Sequence, residues 1–278
     1  MKFASYLLNG KEAFGAVIAD DVVTLSDSRY PTLRDAIAGN VLTELATIAA
    51  GKKPDRKLKD VELLPVLTNS EKIICIGLNY KSHADEGNNA VPEDPSLFFR
   101  LANTLVPHNG DMIRPKVSTR LDFEGELAVI IGKPGRHIAK ADALSHIAGY
   151  SCFVDGSVRD FQKHSVSAGK NFVGTGPFGP WMVTADEIPD PTKLTLVTRL
   201  NGQEMQRSGT DMLVYSIPVL IAYISSFTPL AAGDVIATGT PAGVGHRRNP
   251  QVWMKAGDVL EVEISKIGTL RSGIVDEN

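Results

Sequence analysis

Hydrophobic and polar positions alternate over residues 4–8, 14–18 and 22–25, and the turn pair Asp20-Asp21 separates the last two runs. A period of two predicts strands. From Thr32 to about Ala50 the apolar spacing becomes helical, and Gly51-Lys52-Lys53-Pro54-Asp55 ends it. Residues 1–68 thus read as a small N-terminal α/β accessory domain. Beyond them come short apolar runs at 73–77, 127–131, 150–154, 194–200 and 234–238, with closing strands over 258–262 and 268–272. Asn201-Gly202 is a strong hairpin signal. Helical spacing appears near 140–147 and over 215–227, the latter interrupted by Pro218. The pattern predicts an α+β, strand-dominated chain whose larger unit, residues 69–278, is built of mixed twisted sheets, either stacked or rolled into a distorted barrel.

One strand carries charge where a core is expected. Asp122-Phe123-Glu124-Gly125-Glu126 runs directly into Leu127-Ala128-Val129-Ile130-Ile131. Alternation places Asp122, Glu124 and Glu126 on one face and Phe123, Leu127, Val129 and Ile131 on the other. Carboxylates that close, drawn out of water, repel unless one is protonated or a divalent cation lies between them. An all-oxygen ligand set favours a hard ion, Mg2+ or Mn2+ rather than zinc, and Ca2+ could take the same oxygens in a crystal. The competing reading is a strand edge with its acids in solvent. About thirty residues on, the apolar run 150–154 ends at Asp155-Gly156, where the acid suits either a third ligand or an ordinary turn.

Composition narrows the function class. The 278 residues, 43% hydrophobic and 22% charged, supply an ordinary globular core. A net charge of −3 with scattered Lys and Arg gives no footprint for nucleic acid. The apolar opening is cut short by Asn9-Gly10-Lys11-Glu12, and no run is long enough to span a bilayer, so a cytoplasmic chain without membrane contact is expected. Cys75 and Cys152 lie inside apolar runs and read as reduced, buried thiols.

Six blocks, taken in order, resemble the fumarylacetoacetate hydrolase family, in particular its acylpyruvase-like branch. They are the run 77–86 (Gly-Leu-Asn-Tyr-Lys-Ser-His-Ala-Asp-Glu), 122–127 (Asp-Phe-Glu-Gly-Glu-Leu), Val154-Asp155 with 159–162 (Arg-Asp-Phe-Gln), 169–172 (Gly-Lys-Asn-Phe), 215–218 (Tyr-Ser-Ile-Pro) and 238–245 (Thr-Gly-Thr-Pro-Ala-Gly-Val-Gly). The resemblance spans residues 72–274 and implies a catalytic domain forming a barrel-like roll, a homodimer, and Mg2+ or Mn2+ held by Glu124, Glu126 and Asp155.

The same blocks suggest roles. Ser82 and Asp85 have capping-box spacing, so a short helix is expected there, with His83 and Glu86 on one side of it. A carboxylate beside an imidazole fixes its tautomer and raises its basicity. A solvated surface pair is the alternative, and the resemblance implies a water-activating dyad on a mobile lid continued by the polar segment 87–95. It also brings Lys170 into the site as an oxyanion stabiliser, where a surface lysine is otherwise expected. Arg159 could brace the acids or touch substrate, and Gln162 could orient water or a carbonyl. The glycines of 238–245, Gly239 among them, would let backbone N–H groups approach an anion, and the resemblance suggests that Thr240 reaches the substrate carboxylate. Where many relatives carry lysine, this chain has Arg100, whose planar fork suits a distal substrate acid or, equally, a buried partner of the metal-site acids. The expected activity is hydrolysis of a carbon–carbon bond in a 1,3-diketo acid such as an acylpyruvate or fumarylpyruvate. Oxaloacetate decarboxylation, tautomerisation, isomerisation, and hydration or dehydration of a 2-keto acid are alternatives on the same scaffold, and a non-catalytic metal-stabilised binding protein is the alternative of another class.

Overall fold

The computed structural model describes residues 1–278. Twelve strands form one large sheet, whose main path runs Arg56–Lys57, Asp21–Thr24, Lys11–Ile18, Lys2–Leu8, Gly176–Thr184, Ile147–Val154, Gly125–Ile131, Val235–Ala237, Ile73–Gly77, Ser96–Arg100. Along that path only Val235–Ala237 and Ile73–Gly77 are parallel neighbours. A second sheet of five strands orders Gln203–Gly209, Thr195–Leu200, Val259–Ile264, Gly268–Asp276 and Asp111–Arg114. The sheets are mixed and do not close into a barrel.

Every residue of Gly125–Ile131 is buried, because the strand lies between two cores. Leu127, Val129 and Ile131 pack with Leu260, Val262 and Ile264 of the smaller sheet. Ala128 and Ile130, on the opposite face, pack with Phe3, Phe14, Leu33 and Leu45 of the N-terminal segment. A strand covered on both faces reads as a continuous apolar run, and Glu126 is the polar residue that this run admits.

The N-terminal strands join the large sheet through Lys2–Leu8, paired with Gly176–Thr184. The boundary expected near residue 68 is therefore crossed by a shared sheet and a shared core. Instead of one helix over 32–50 there are two, Leu33–Ala38 and Leu42–Gly51. Thr32 and Asp35 form a capping box at the first, and Asn40 at φ 53 forces the break between them. Near 140–147 only a short 3-10 turn, Ala143–His146, precedes the strand Ile147–Val154. Ladder pairing begins only at Ile147, opposite Ile131, so the segment before it is left as the short connection into the strand. Pro218 does not interrupt a helix; it lies in the first turn of Ile217–Phe227, where its missing N–H costs nothing. The hairpin at Asn201-Gly202 is present, both residues having positive φ. No helix is long and apolar enough to cross a membrane.

Candidate active site

The strand pair Gly125–Ile131 and Ile147–Val154 brings Gly125 opposite Val154, so the acids flanking these two positions converge. Carboxylate oxygens of Glu124, Glu126 and Asp155 all lie within 4.8 Å of one another, and all three residues are buried. Asp122 does not join them. It belongs to a separate two-residue strand, Leu121–Asp122, paired with Ser157–Val158, and residues 123 and 124 lie in no strand, which breaks the alternation expected from sequence. Its carboxylate accepts from the backbone N–H of Gly245 (2.8 Å) and His246 (3.0 Å) and from Arg159 Nε (2.8 Å).

Cations brace the acids. Lys170 Nζ donates to Glu124 Oε2 and Asp155 Oδ2, each at 2.6 Å, and to the Asp155 carbonyl at 3.2 Å. An ammonium has three N–H donors, so all are committed and none is left for the oxyanion role expected of it. Arg159 reaches Asp122, Glu124 (2.6 Å) and Gln162 Oε1 (2.9 Å). Arg100 differs from the substrate-binding expectation. Its guanidinium is buried, lies off the cavity, and donates to Asp155 Oδ1 (2.6 Å), the Gly156 carbonyl (2.9 Å) and Thr175 Oγ1 (2.8 Å).

Four carboxylates, Asp122, Glu124, Glu126 and Asp155, thus face three cations, Arg100, Arg159 and Lys170, which leaves one negative charge. The uncompensated acid is Glu126. It accepts from Gly239 N at 2.9 Å and has no cationic partner. Burial, then the charges of Asp155 and Glu124, push its carboxyl well above the usual range. Burial also works to raise Glu124, but Lys170 and Arg159 outweigh it and hold that carboxyl at about 2. This charge deficit and the all-oxygen donor set fit a hard divalent ion held by Glu124, Glu126 and Asp155.

These three acids line a cavity of about 350 Å³ together with His83, Arg159, Gln162, Lys170 and Thr240. His83 comes from the helix Lys81–Glu86. That helix lacks the expected capping box; Tyr80 is its N-cap and Lys81 pairs with Asp85 at 2.9 Å instead. His83 Nδ1 lies 2.7 Å from Glu86 Oε1, and Glu86 Oε2 accepts from Gly243 N at 2.8 Å. With Nδ1 committed to the carboxylate, Nε2 is the ring nitrogen left for a ligand. Glu86 and Gly239 act from behind the cavity wall. Thr240 is on the wall, but its hydroxyl donates to the Gly125 carbonyl (2.9 Å) and accepts from Gln206 Nε2 (2.8 Å).

Sequence reasoning missed four residues. Gln206 locks the acid strand by accepting from Gly125 N at 3.0 Å and donating to Thr240 and Pro241; it lies on a polar hairpin strand, so no pattern marks it. Lys163, His246 and Arg247 line the cavity. The last two directly follow the glycine-rich 238–245 block, the one signal that could have pointed to them.

Residues 72–275 match the family model described as fumarylacetoacetate (FAA) hydrolase C-terminal. A mitochondrial oxaloacetate tautomerase of Xenopus laevis is 42% identical over 220 residues, 78% of this chain and 69% of that one. A human mitochondrial oxaloacetate tautomerase is 38% identical over 230 residues, 81% and 73% respectively. The fumarylacetoacetate hydrolase structure from Exiguobacterium antarcticum superposes with a TM-score of 0.84 at 33% identity, covering all of both chains. Maleylpyruvate hydrolase from Sphingobium sp. SYK-6, in complex with manganese(II) and pyruvate, also gives 0.84, at 27% identity and full coverage of both. The chain belongs to the fumarylacetoacetate hydrolase family of enzymes.

Proposed function

We propose that the protein is a divalent-metal-dependent enzyme that moves a proton at the carbon beside the keto group of a short 2-oxo acid, with keto–enol interconversion of an oxaloacetate-type acid as the first reading. The observation that carries it is one cavity holding both the Glu124–Glu126–Asp155 cluster and the Nε2 edge of a histidine whose Nδ1 is held by a carboxylate. The tautomerases at 38–42% identity support the order of the readings.

When bound, the ion supplies Lewis-acid polarisation of the 2-oxo group and an anchor for the adjoining carboxylate. His83 Nε2 takes the proton from substrate carbon 3 and returns it to the 2-oxo oxygen, or carries it the other way in ketonisation, and Glu86 stabilises the imidazolium formed in between. Gly243 N fixes Glu86 in that task. Gln162 is a free donor: its carbonyl oxygen accepts from Arg159, which leaves its amide N–H groups for a substrate oxygen. Lys170 and Arg159 hold Glu124 ionised.

A second reading, hydrolysis of an acylpyruvate carbon–carbon bond, is supported by the maleylpyruvate hydrolase neighbour that carries manganese and pyruvate. In it His83 Nε2 takes its proton from water rather than from carbon. The test follows loss of enol ultraviolet absorbance from oxaloacetate and from a panel of acylpyruvates, using chelator-stripped protein with and without Mg2+ or Mn2+, beside His83→Gln. Metal-dependent ketonisation of oxaloacetate without fragmentation supports the first reading. Release of one pyruvate per acylpyruvate supports the second. Inactivity of the metal-loaded wild type on the whole panel refutes both.

A further inference from the structure

Among the cations on the cavity wall, two differ in kind from the rest. Lys170 and Arg159 spend their donors on the acids. Lys163 and Arg247 are exposed residues at the rim of the same cavity, and neither forms an ion pair or a side-chain hydrogen bond. The neighbouring Arg248 makes the contrast plain: its guanidinium bonds the Gly243 carbonyl (3.0 Å) and the Met205 carbonyl (2.5 Å), so it holds the loop. Arg247 has no such structural task.

We propose that Arg247, with Lys163, is the subsite for a second carboxylate, which makes the substrate a 2-oxo dicarboxylic acid rather than a monocarboxylic acylpyruvate. The inference rests on the proposed binding of a 2-oxo acid at the acid cluster. A guanidinium with all its donors free at the rim of a small cavity offers a planar fork to a carboxylate entering from solvent, and the acid cluster has no spare cation to offer a second carboxylate. Arg247 is also placed to link substrate to the lid. A Cβ on Gly87, the residue capping the His83 helix, would lie 3.2 Å from Arg247 Nη2. The loop that presents Arg247 holds Glu86 through Gly243 N. An anion on Arg247 therefore sits where the end of the lid meets the loop that positions the dyad. Of the two readings open for Arg100, the buried partner of Asp155 is the one seen, and a distal acid would find its cation here instead.

The test measures binding in the presence of Mn2+, by calorimetry, for pyruvate and acetylpyruvate against oxaloacetate and fumarylpyruvate, in the wild type, Arg247→Gln and Lys163→Met. Loss of one charge-assisted contact is expected to weaken the dicarboxylates about 10–100-fold for Arg247→Gln and less for Lys163→Met. Affinity for the monocarboxylates should change less than about twofold, and added salt should weaken only the dicarboxylates. Equal losses for both classes, or none for either, overturn the subsite while leaving the 2-oxo acid reading intact. Failure of wild-type protein to bind any of the four overturns that reading and the subsite together.

Discussion

Arg100→Met separates a bracing role from a substrate role. In the structure the Arg100 and Asp155 side chains are both fully shielded from solvent, at 2.6 Å. Removing one partner of a buried pair costs about 3–5 kcal/mol, because the other charge stays in the core. Asp155 keeps Lys170 at 2.6 Å, so the lower end, about 3 kcal/mol, is expected. For a chain of this size each kcal/mol moves the melting temperature by about 2 °C, giving a drop of about 6 °C. Part of it should return with Mg2+, since an ion bound only by the folded state adds stability by mass action and the bared Asp155 is a stronger ligand. The assay is thermal unfolding followed by circular dichroism, with and without Mg2+, beside KM for a dicarboxylic 2-oxo acid. A variant that melts like the wild type but has a tenfold higher KM would refute the argument and return Arg100 to the substrate.

His83→Gln and Glu86→Gln should each lower kcat by about 10²–10⁴ with little change in melting temperature, because both serve the proposed proton transfer and neither is deeply buried; a loss under tenfold in steady-state assays contradicts the dyad. Gly243→Ala should resemble Glu86→Gln in kcat, since at φ +105 a Cβ would collide with the Met205 carbonyl and shift the N–H that holds Glu86; wild-type kcat speaks against that support. Ion binding should tighten as pH rises. Glu126, raised by burial, keeps its proton above the ordinary carboxyl range and must release it to act as a ligand. In the ion-free protein the same raised carboxyl favours the fold below its unfolded value and loses that contribution as pH climbs through its folded one. Mn2+ calorimetry in two buffers of different ionisation enthalpy should show proton release, absent in Glu126→Ala; release undiminished in that variant excludes Glu126 as its source.

Much of the fold was legible because its signals are local. The strands at 73–77 and 235–237 lie inside short apolar runs, and the Asn201-Gly202 turn needs positive φ that these two residues supply cheaply. The strand that joins the halves was not. Gly176–Thr184 contains three residues of Gly and Pro in its first four positions that argue against a strand, and only its neighbours, Lys2–Leu8 on one side and Ile147–Val154 on the other, make it one. Without that strand nothing in the sequence links residues 1–68, read as a small accessory domain, to the larger sheet that they extend.

The site divides along the same line. Charge on an apolar strand marked Glu124 and Glu126, with Asp155 at the mouth of the next strand, while His83, Gln162 and Lys170 entered the site only through the family resemblance; the structure has all six around one cavity. What sequence does not encode is which donors are already spent. Arg100, Arg159, Lys163, Lys170, Arg247 and Arg248 are six equivalent positive charges in the chain. Folding commits four of them to acids and carbonyls and leaves two facing the cavity. A ligand is read by the groups that the fold has not used, and beside His83 Nε2 and the free amide of Gln162 the proposed selectivity for a second carboxylate rests on Lys163 and Arg247, the two cations with the least to do in the unliganded protein.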